Sequence, residues 1–570
     1  MILPHIAFII SYIIYVIFYL KENASLIYLL YLLPIIVYML LFVVVFVLSR
    51  VAKEKFMQVF KKISKILYIF IIISSAPWFI HLNFPDPHNF ILRKLEVLLG
   101  AVYVIFIFLL AFYFMFKIKN SRIVEKTSTR NMVFYVFSFM LIFYFFISLW
   151  FIYANKPTGD ETAYLMVAHS MVHDKDIDLK NNFENKDYRA FYDRELQPQG
   201  MDIIKNGKIY SYHPLLLSLI IAPFYFIGGM LGVTLIMNIF SAMFVALIFY
   251  LCYKTNNDNF SSLLAALLTG FTLPILSFIN LVSTEMFVSV LLLVSYILYR
   301  YKPEKVVIFS LVMALILWAH IRVFPVYGVI GFLFMIKNLK KPANISLFIV
   351  IQVVSLVAFF GLNLYLYGDF MPAASSQTAN IDFGVYFLKG LFVYFFDRQL
   401  GLFSYAPYFI PFLAGLWLLY KRSRSIALEL LFMFIPYYIF ICVYPNWGTG
   451  NSSPRYLVPI LFILSLGMSE VFANFKNKLN IKIMYFLTGL SIAISIIVAS
   501  VPWFRWDKHE HENWLIFLVS KISHVDFTMF FPSFRIITKY TMPSFCFWII
   551  IFLGLNIYML TKEKINLHRH

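Results

Sequence analysis

Two adjacent carboxylates open the longest polar stretch of this 570-residue chain, in the run Pro157-Thr158-Gly159-Asp160-Glu161-Thr162-Ala163-Tyr164. A carboxylate in the first turn of a helix meets unpaired N–H groups and the positive end of the helix dipole, which keep it ionised. An ionised Asp160 can accept a proton from a hydroxyl, the work of a general base. Glu161 has a structural alternative. Thr158 and Glu161 fit the S/T-x-x-E capping box, with Thr158 at the N-cap and Asp160 at the second helical position. The same stretch ends in Lys208-Ile209-Tyr210-Ser211-Tyr212-His213-Pro214, a set of cations and aromatics. Other clusters fit chemistry less well. Asp174-x-Asp176-x-Asp178 has Leu179 where a calcium loop turns on Gly and Asn185 where it needs Glu, so these acids read as helix and turn caps. His509-Glu510-His511-Glu512 alternates too closely for one helical face, and Trp503, Trp506 and Trp514 around it suit an interfacial belt. Cys252, Cys442 and Cys546 follow no metal or disulfide spacing.

The elements that position these residues are membrane helices. Hydrophobic residues make up 62% of the chain and charged residues 13%, with a mean hydropathy of +0.81. A soluble domain carries roughly 25% charged residues, which excludes that class. Apolar blocks about 20 residues long can cross a hydrocarbon core, and in lipid they must be helical to satisfy their own backbone. The net charge of +19 lies largely in short clusters, among them Arg50 to Lys65, Lys117 to Arg130, Lys337/Lys340/Lys341 and Lys421/Arg422/Arg424. Short Lys/Arg-rich loops stay cytoplasmic, so charge asymmetry accounts for the basicity and no nucleic-acid partner is called for. Both termini are then expected inside and the 155–214 loop outside, with eight Lys or Arg against ten Asp or Glu. Met1 to Leu20 lacks a basic start and a small-residue cleavage site, and reads as a first span rather than a signal peptide.

Spans are expected near Leu3–Leu20, Leu26–Leu48, Ile66–Ile80, Val97–Phe116 and Met132–Tyr153 before the loop. Leu215–Gly228 is short and holds Pro223, and a crossing there would reverse every later basic cluster. It is expected to lie in the interface or re-enter. Thr234–Tyr253, Leu263–Ile279 and Glu285–Tyr299 follow, and Val306–Met335 is expected as two half-helices meeting at His320, Arg322 and Pro325. Leu347–Tyr367, Leu402–Tyr420, Ile426–Tyr444, Tyr456–Phe472, Ile483–Ser500 and Phe545–Leu560 complete the spans, with Phe387–Phe396 too short to cross. The expectation is an all-α polytopic membrane protein of about 13–15 helices. Residues 1–130 would form a four-span extension and 131–570 a second domain holding the loop.

Gly159-Asp160-Glu161 with Tyr164, Ala168-His169-Ser170, Asp174 to Leu179 and Tyr212-His213-Pro214 resemble the first external loop of GT-C fold glycosyltransferases. The likeness is to the branch of protein O-mannosyltransferases and lipid A aminoarabinose transferases. Ser283-Thr284-Glu285, Arg322 with Pro325, and Asn446-Trp447-Gly448 followed by Pro454-Arg455-Tyr456-Leu457-Val458-Pro459 agree with it. The resemblance spans about Met132 to Val501 and implies a GT-C-like bundle.

It also implies inverting transfer of a sugar from a polyprenyl-phosphate donor to a hydroxyl on a protein, lipid or polysaccharide, at the outer face of a prokaryotic plasma membrane. Asp160 would be the general base, and Glu161 would help hold the acceptor. His213, Arg322 and Arg455 would bind the donor phosphate, with Tyr164, Tyr212, Glu285 and Trp447 around the substrates. No cofactor is firmly implied, and a divalent metal is not favoured. The chain has His213 where relatives carry Lys, and a single Pro214 where two prolines are common, so phosphate binding there would depend on protonation of the imidazole. Arg322 has an alternative as the internal partner of a broken helix. Broken and re-entrant helices also suit a transporter or flippase for a lipid-linked saccharide, and a non-catalytic assembly scaffold is a further alternative.

Overall fold

The computed structural model describes residues 90–120, 128–198, 203–205, 207–370, 384–443, 454–506 and 513–563. The expected spans at Leu3–Leu20, Leu26–Leu48 and Ile66–Ile80 lie outside these residues, as do Trp447 and the His509–Glu512 cluster. The chain divides into two compact units, Met1–Thr127 and Ser128–His570. In the first, the expected span at Val97–Phe116 is a helix over Phe90–Asn120.

The second unit is a bundle of helices. Eight are long and apolar enough to cross a membrane, among the described residues: Thr129–Ala154, Leu215–Asn256, Thr284–Tyr301, Pro342–Tyr367, Arg424–Cys442, Arg455–Asn474, Lys478–Ser500 and Thr541–Lys562. The chain is thus an all-α, polytopic integral membrane protein. Lipid tails give apolar helices no preference for one another, so specific polar contacts and close packing hold such a bundle together. The Asn238 amide donates to Ser148 Oγ at 2.9 Å and to the Ile279 carbonyl at 2.6 Å. Thr269 and Ser465 hydroxyls meet at 2.8 Å. Tyr144 donates its hydroxyl to the Gly270 carbonyl at 2.9 Å.

The apolar stretch after the loop is a segment of its own. The helix Leu215–Asn256 breaks at Gly228 and Gly229, the latter at φ 52°, a conformation that L side chains rarely adopt. A Cβ on Gly232 would lie 2.0 Å from the Phe224 carbonyl oxygen. Eight residues along a straight helix span about 12 Å, so the chain doubles back here as a helical hairpin. Its first limb packs on the loop helix Asp160–His173. Ser218 Oγ donates to the Tyr164 carbonyl at 3.0 Å, and His169 Nδ1 lies 3.0 Å from the Tyr225 hydroxyl.

The helix break at residues 320–325 is present. Helices Val306–Ala319 and Phe324–Lys337 flank a 3-10 turn over Ile321–Val323, with His320 extended between them. Two expected spans are not continuous. Leu402–Tyr420 is a turn at Leu402–Tyr405, a 3-10 turn at Pro407–Phe409 and a helix at Phe412–Arg422. Pro407 and Pro411 have no amide hydrogen to donate and clash with a preceding turn, so apolarity alone misjudges the stretch. Leu263–Ile279 likewise stops as a helix at Phe271, ahead of Leu273-Pro274, and resumes only as a short turn at Ile275–Phe278. A helix at Trp514–Ser523 was not expected.

Within the 155–214 loop, the loop helix leads to a short helix at Lys180–Glu184, and a two-stranded hairpin pairs Ile203–Lys205 with Lys208–Tyr210. The acids Asp174, Asp176 and Asp178 serve the loop's own turns. Asp176 Oδ1 accepts from the Ser170 hydroxyl and the Asp178 amide, Asp178 Oδ1 from the Lys180 and Ile209 amides, and Asp174 from Asn182.

Candidate active site

The loop helix does not begin as its sequence suggests. Its N-cap is Gly159, held at φ 57° and ψ −129°, and Asp160 is the first helical residue. Thr158 is therefore not the N-cap, and its hydroxyl closes no capping box. Half of that motif survives, because the Thr158 amide donates to Glu161 Oε2 at 3.1 Å. A side chain on residue 159 would strain this backbone, so glycine permits the sharp turn that presents Asp160.

Asp160 meets residues from several remote segments. Arg455 opens the 3-10 turn Arg455–Ile460 that leads into the helix Leu461–Asn474, and its Nη2 donates to Asp160 Oδ2 at 2.8 Å. The same guanidinium donates through Nε to Glu285 Oε1, at the start of Thr284–Tyr301. One arginine thus bridges two carboxylates. Asp160 keeps 37% of its side-chain exposure while Glu285 keeps 3%, so only the former is open to an incoming group. His213 approaches from the end of the loop, with Nε2 4.0 Å from Asp160 Oδ1. That is too long for a hydrogen bond. Tyr212 and Tyr164 enclose the imidazole, their ring centroids 4.1 and 4.8 Å from it. Arg322, presented by the break, lies over the Tyr456 ring at 4.3 Å, and its backbone amide donates to His320 Nδ1 at 3.3 Å. Tyr456 is in turn fixed through its carbonyl, which accepts from Tyr437 at 2.9 Å. Among the candidates in described residues, Asp160, Glu285, Arg455, His213, Arg322, Tyr164 and Tyr212 come together.

Electrostatics separate Asp160, His213 and Glu161, three titratable groups outside the spans. Burial raises the Asp160 carboxyl, but Arg455, His213 and Arg322 outweigh it and hold the group down at about 2. Asp160 is ionised at any physiological pH. Burial pushes His213 below its ordinary value; Asp160 opposes this and Arg455 adds to it, leaving the imidazole neutral near pH 7. Burial pushes Glu161 up to about 7, against the Val282 and Thr158 amides and the charge of Arg505.

Glu161 turns away from this group. Its Oε1 accepts from the Val282 amide at 3.0 Å while Oε2 takes the Thr158 amide. Both oxygens serve the protein's own backbone rather than an acceptor. Nearby, and overlooked in the sequence, is Arg505, buried in the 3-10 turn Pro502–Arg505. The signal was there: an arginine inside the aromatic run Trp503-Phe504-Arg505-Trp506 must hide a charge or find partners.

No protein-family model matches the chain, and no curated protein matches it. Among solved structures, the chain is similar to that of ArnT from Cupriavidus metallidurans bound to undecaprenyl phosphate, at 13% sequence identity over 74% of each chain and a TM-score of 0.42.

Proposed function

We propose that this chain is an inverting glycosyltransferase that moves a sugar from a polyprenyl-phosphate donor to a hydroxyl acceptor at the external membrane face. The observation that carries the reading is the Asp160–Arg455–Glu285 bridge. An ionised, partly exposed carboxylate stands beside a guanidinium that a phosphate would compete for, and Arg322 is close enough for its charge to act on Asp160. Guanidinium groups match phosphate oxygens in a planar, two-pronged fashion.

The chemistry follows from that competition. A donor phosphate drawn to Arg455 and Arg322 loosens the hold of Arg455 on Asp160, so the carboxylate becomes a stronger base when donor is bound. Asp160 accepts the acceptor's hydroxyl proton as that oxygen attacks the anomeric carbon. The bond from this carbon to the phosphate oxygen breaks, and the polyprenyl phosphate leaves with the electron pair, its added charge stabilised by the arginines. A single displacement of this kind inverts the anomeric centre. His213, neutral in the resting protein, would gain a proton beside the phosphate.

The break at His320–Val323 also favours a transporter or flippase, since half-helix ends line such pathways. A transporter has no need of a base. Purified protein incubated with labelled polyprenyl-phosphate hexoses and pentoses should transfer sugar to a hydroxyl acceptor, and Asp160→Asn should do so about a thousand-fold more slowly. Equal transfer by both proteins would sink the reading.

A further inference from the structure

Glu161 and Arg505 grip one turn from two sides. The turn runs from Ser277 to Ser283 and delivers the chain to Glu285. Arg505 Nη1 donates to the Ser277 carbonyl at 3.3 Å and to Asn280 Oδ1 at 2.8 Å, and its Nε donates to the Pro502 carbonyl at 3.2 Å. The guanidinium also lies over the Phe151 ring at 4.0 Å, near the end of Thr129–Ala154. Glu161 takes the Val282 amide a few residues further on. Both side chains are buried, at 5% and 7% residue exposure, and their opposite charges act on one another.

These contacts close a circuit. Asp160 is covalently next to Glu161; Glu161 fixes Val282; three residues later Glu285 holds Arg455; and Arg455 holds Asp160. The circuit sets where the Asp160 carboxylate stands relative to the guanidinium. Arg505 ties it to the helix Thr129–Ala154 and the segment after Lys478–Ser500, where Trp150 also donates to the Ser500 carbonyl at 3.3 Å. A buried arginine is costly unless its donors are directed, and here Nη1 meets the turn twice while Nε meets the Pro502 carbonyl. A misplacement of about 1 Å at a catalytic group costs on the order of a hundred-fold in rate.

We infer that Arg505 is a positioning residue which, with Glu161, fixes the Ser277–Ser283 turn and thereby the register of Asp160 against Arg455. The inference rests on the glycosyltransferase reading for its effect on rate, but the clamp itself can be read without activity. In hydrogen-exchange mass spectrometry on the full chain, Arg505→Lys should speed exchange of the Asn280–Glu285 amides about ten-fold while leaving the Leu461–Asn474 helix unchanged. In transfer assays with a polyprenyl-phosphate sugar, kcat should fall about ten- to a hundred-fold, with the donor KM moving less than about two-fold. Glu161→Gln, which keeps the shape but can accept only one of the two amides, should move both readouts the same way. The double variant should be no worse than the poorer single one, since both act through one turn.

Local exchange unchanged in both variants would overturn the inference. So would exchange rising evenly across the chain, the mark of general loosening, or a donor KM rising in step with the loss of rate. If the wild-type protein transfers sugar from none of the donors, the glycosyltransferase reading fails, and the exchange arm still decides whether Arg505 and Glu161 hold the turn.

Discussion

The helix Thr284–Tyr301 carries a contact between a buried carboxylate and a partly exposed arginine at each end, and the two contacts are built differently. At its start, Glu285 shares Arg455 with Asp160. At its end, about 22 Å away by helix rise, Arg300 donates to Glu429 at 2.9 Å. Glu429 also accepts from Ser425 at 3.1 Å, Tyr296 at 3.1 Å and Tyr299 at 3.3 Å. That carboxylate is saturated by four donors from two helices, the arrangement of a staple. The other end is under-filled. Glu285 Oε2 and His213 Nε2 are buried without a hydrogen-bond partner among the described residues, and one guanidinium serves two acids. An unpartnered buried polar atom is expensive, and this contact keeps two of them where the Glu429 contact keeps none among its own groups. Identical residue types therefore saturate one contact and leave the other short of donors.

The sharpest way to break this comparison is to neutralise one acid at each end. Asp160→Asn should lower kcat for sugar transfer by about a thousand-fold, within the range for loss of a general base. Binding of a polyprenyl phosphate should survive, since the arginines remain. Glu429→Ala should do the reverse, lowering stability by about 1–3 kcal/mol, the cost of leaving the buried Tyr296 hydroxyl without its acceptor. Thermal unfolding in detergent reads that loss, and transfer per folded molecule should stay at the wild-type level. If Glu429→Ala instead abolished transfer in folded protein, the two ends would not differ in kind.

How far the sequence reaches follows the same division. The broken helix at residues 320–325 was legible because a charge and a proline at mid-span cannot continue an apolar helix. The interruption at Pro407 and Pro411 was readable by the same rule, but the run of apolar side chains around it hid the missing amide. Gly159 as N-cap escaped notice, since Thr158 fits the usual chemistry and nothing local announces a positive φ. The gathering of Asp160, Glu285, Arg322 and Arg455 involves separations of more than a hundred residues in sequence. No periodicity encodes it; the expectation came from a resemblance, and the geometry came from the structure. Arg505 resembled nothing and so was missed.

A smaller change tests why the shared cation is an arginine. Arg455→Lys keeps the charge but loses the fork that lets Nε face Glu285 while Nη2 faces Asp160. The expected outcome is a donor KM raised by about ten-fold, roughly 1.4 kcal/mol of binding, with the unfolding temperature little altered. An equal effect on a variant at Arg300 would show that charge, not geometry, governs both ends.

The smallest expected effect sharpens the role of His213. Burial holds its imidazole below the ordinary value, so in the resting protein it is neutral and offers a phosphate only a dipole. A bound anion favours the protonated form, and by linkage protonation must favour the anion equally. Affinity for a polyprenyl-phosphate sugar should therefore increase as pH falls from 8 towards 5.5, by about three- to ten-fold, the size of a coupling near 1 kcal/mol. The donor is a phosphodiester with one charge across this range, so the ligand adds no titration of its own. Asp160, held at about 2, stays ionised throughout and adds no slope. Glu161 titrates near 7 but faces backbone amides, and Glu161→Gln should keep the slope. His213→Lys, charged at every pH in the range, should bind at least as well at pH 8 and lose the dependence. A slope that survived in His213→Lys would place the proton elsewhere and remove the imidazole from phosphate recognition.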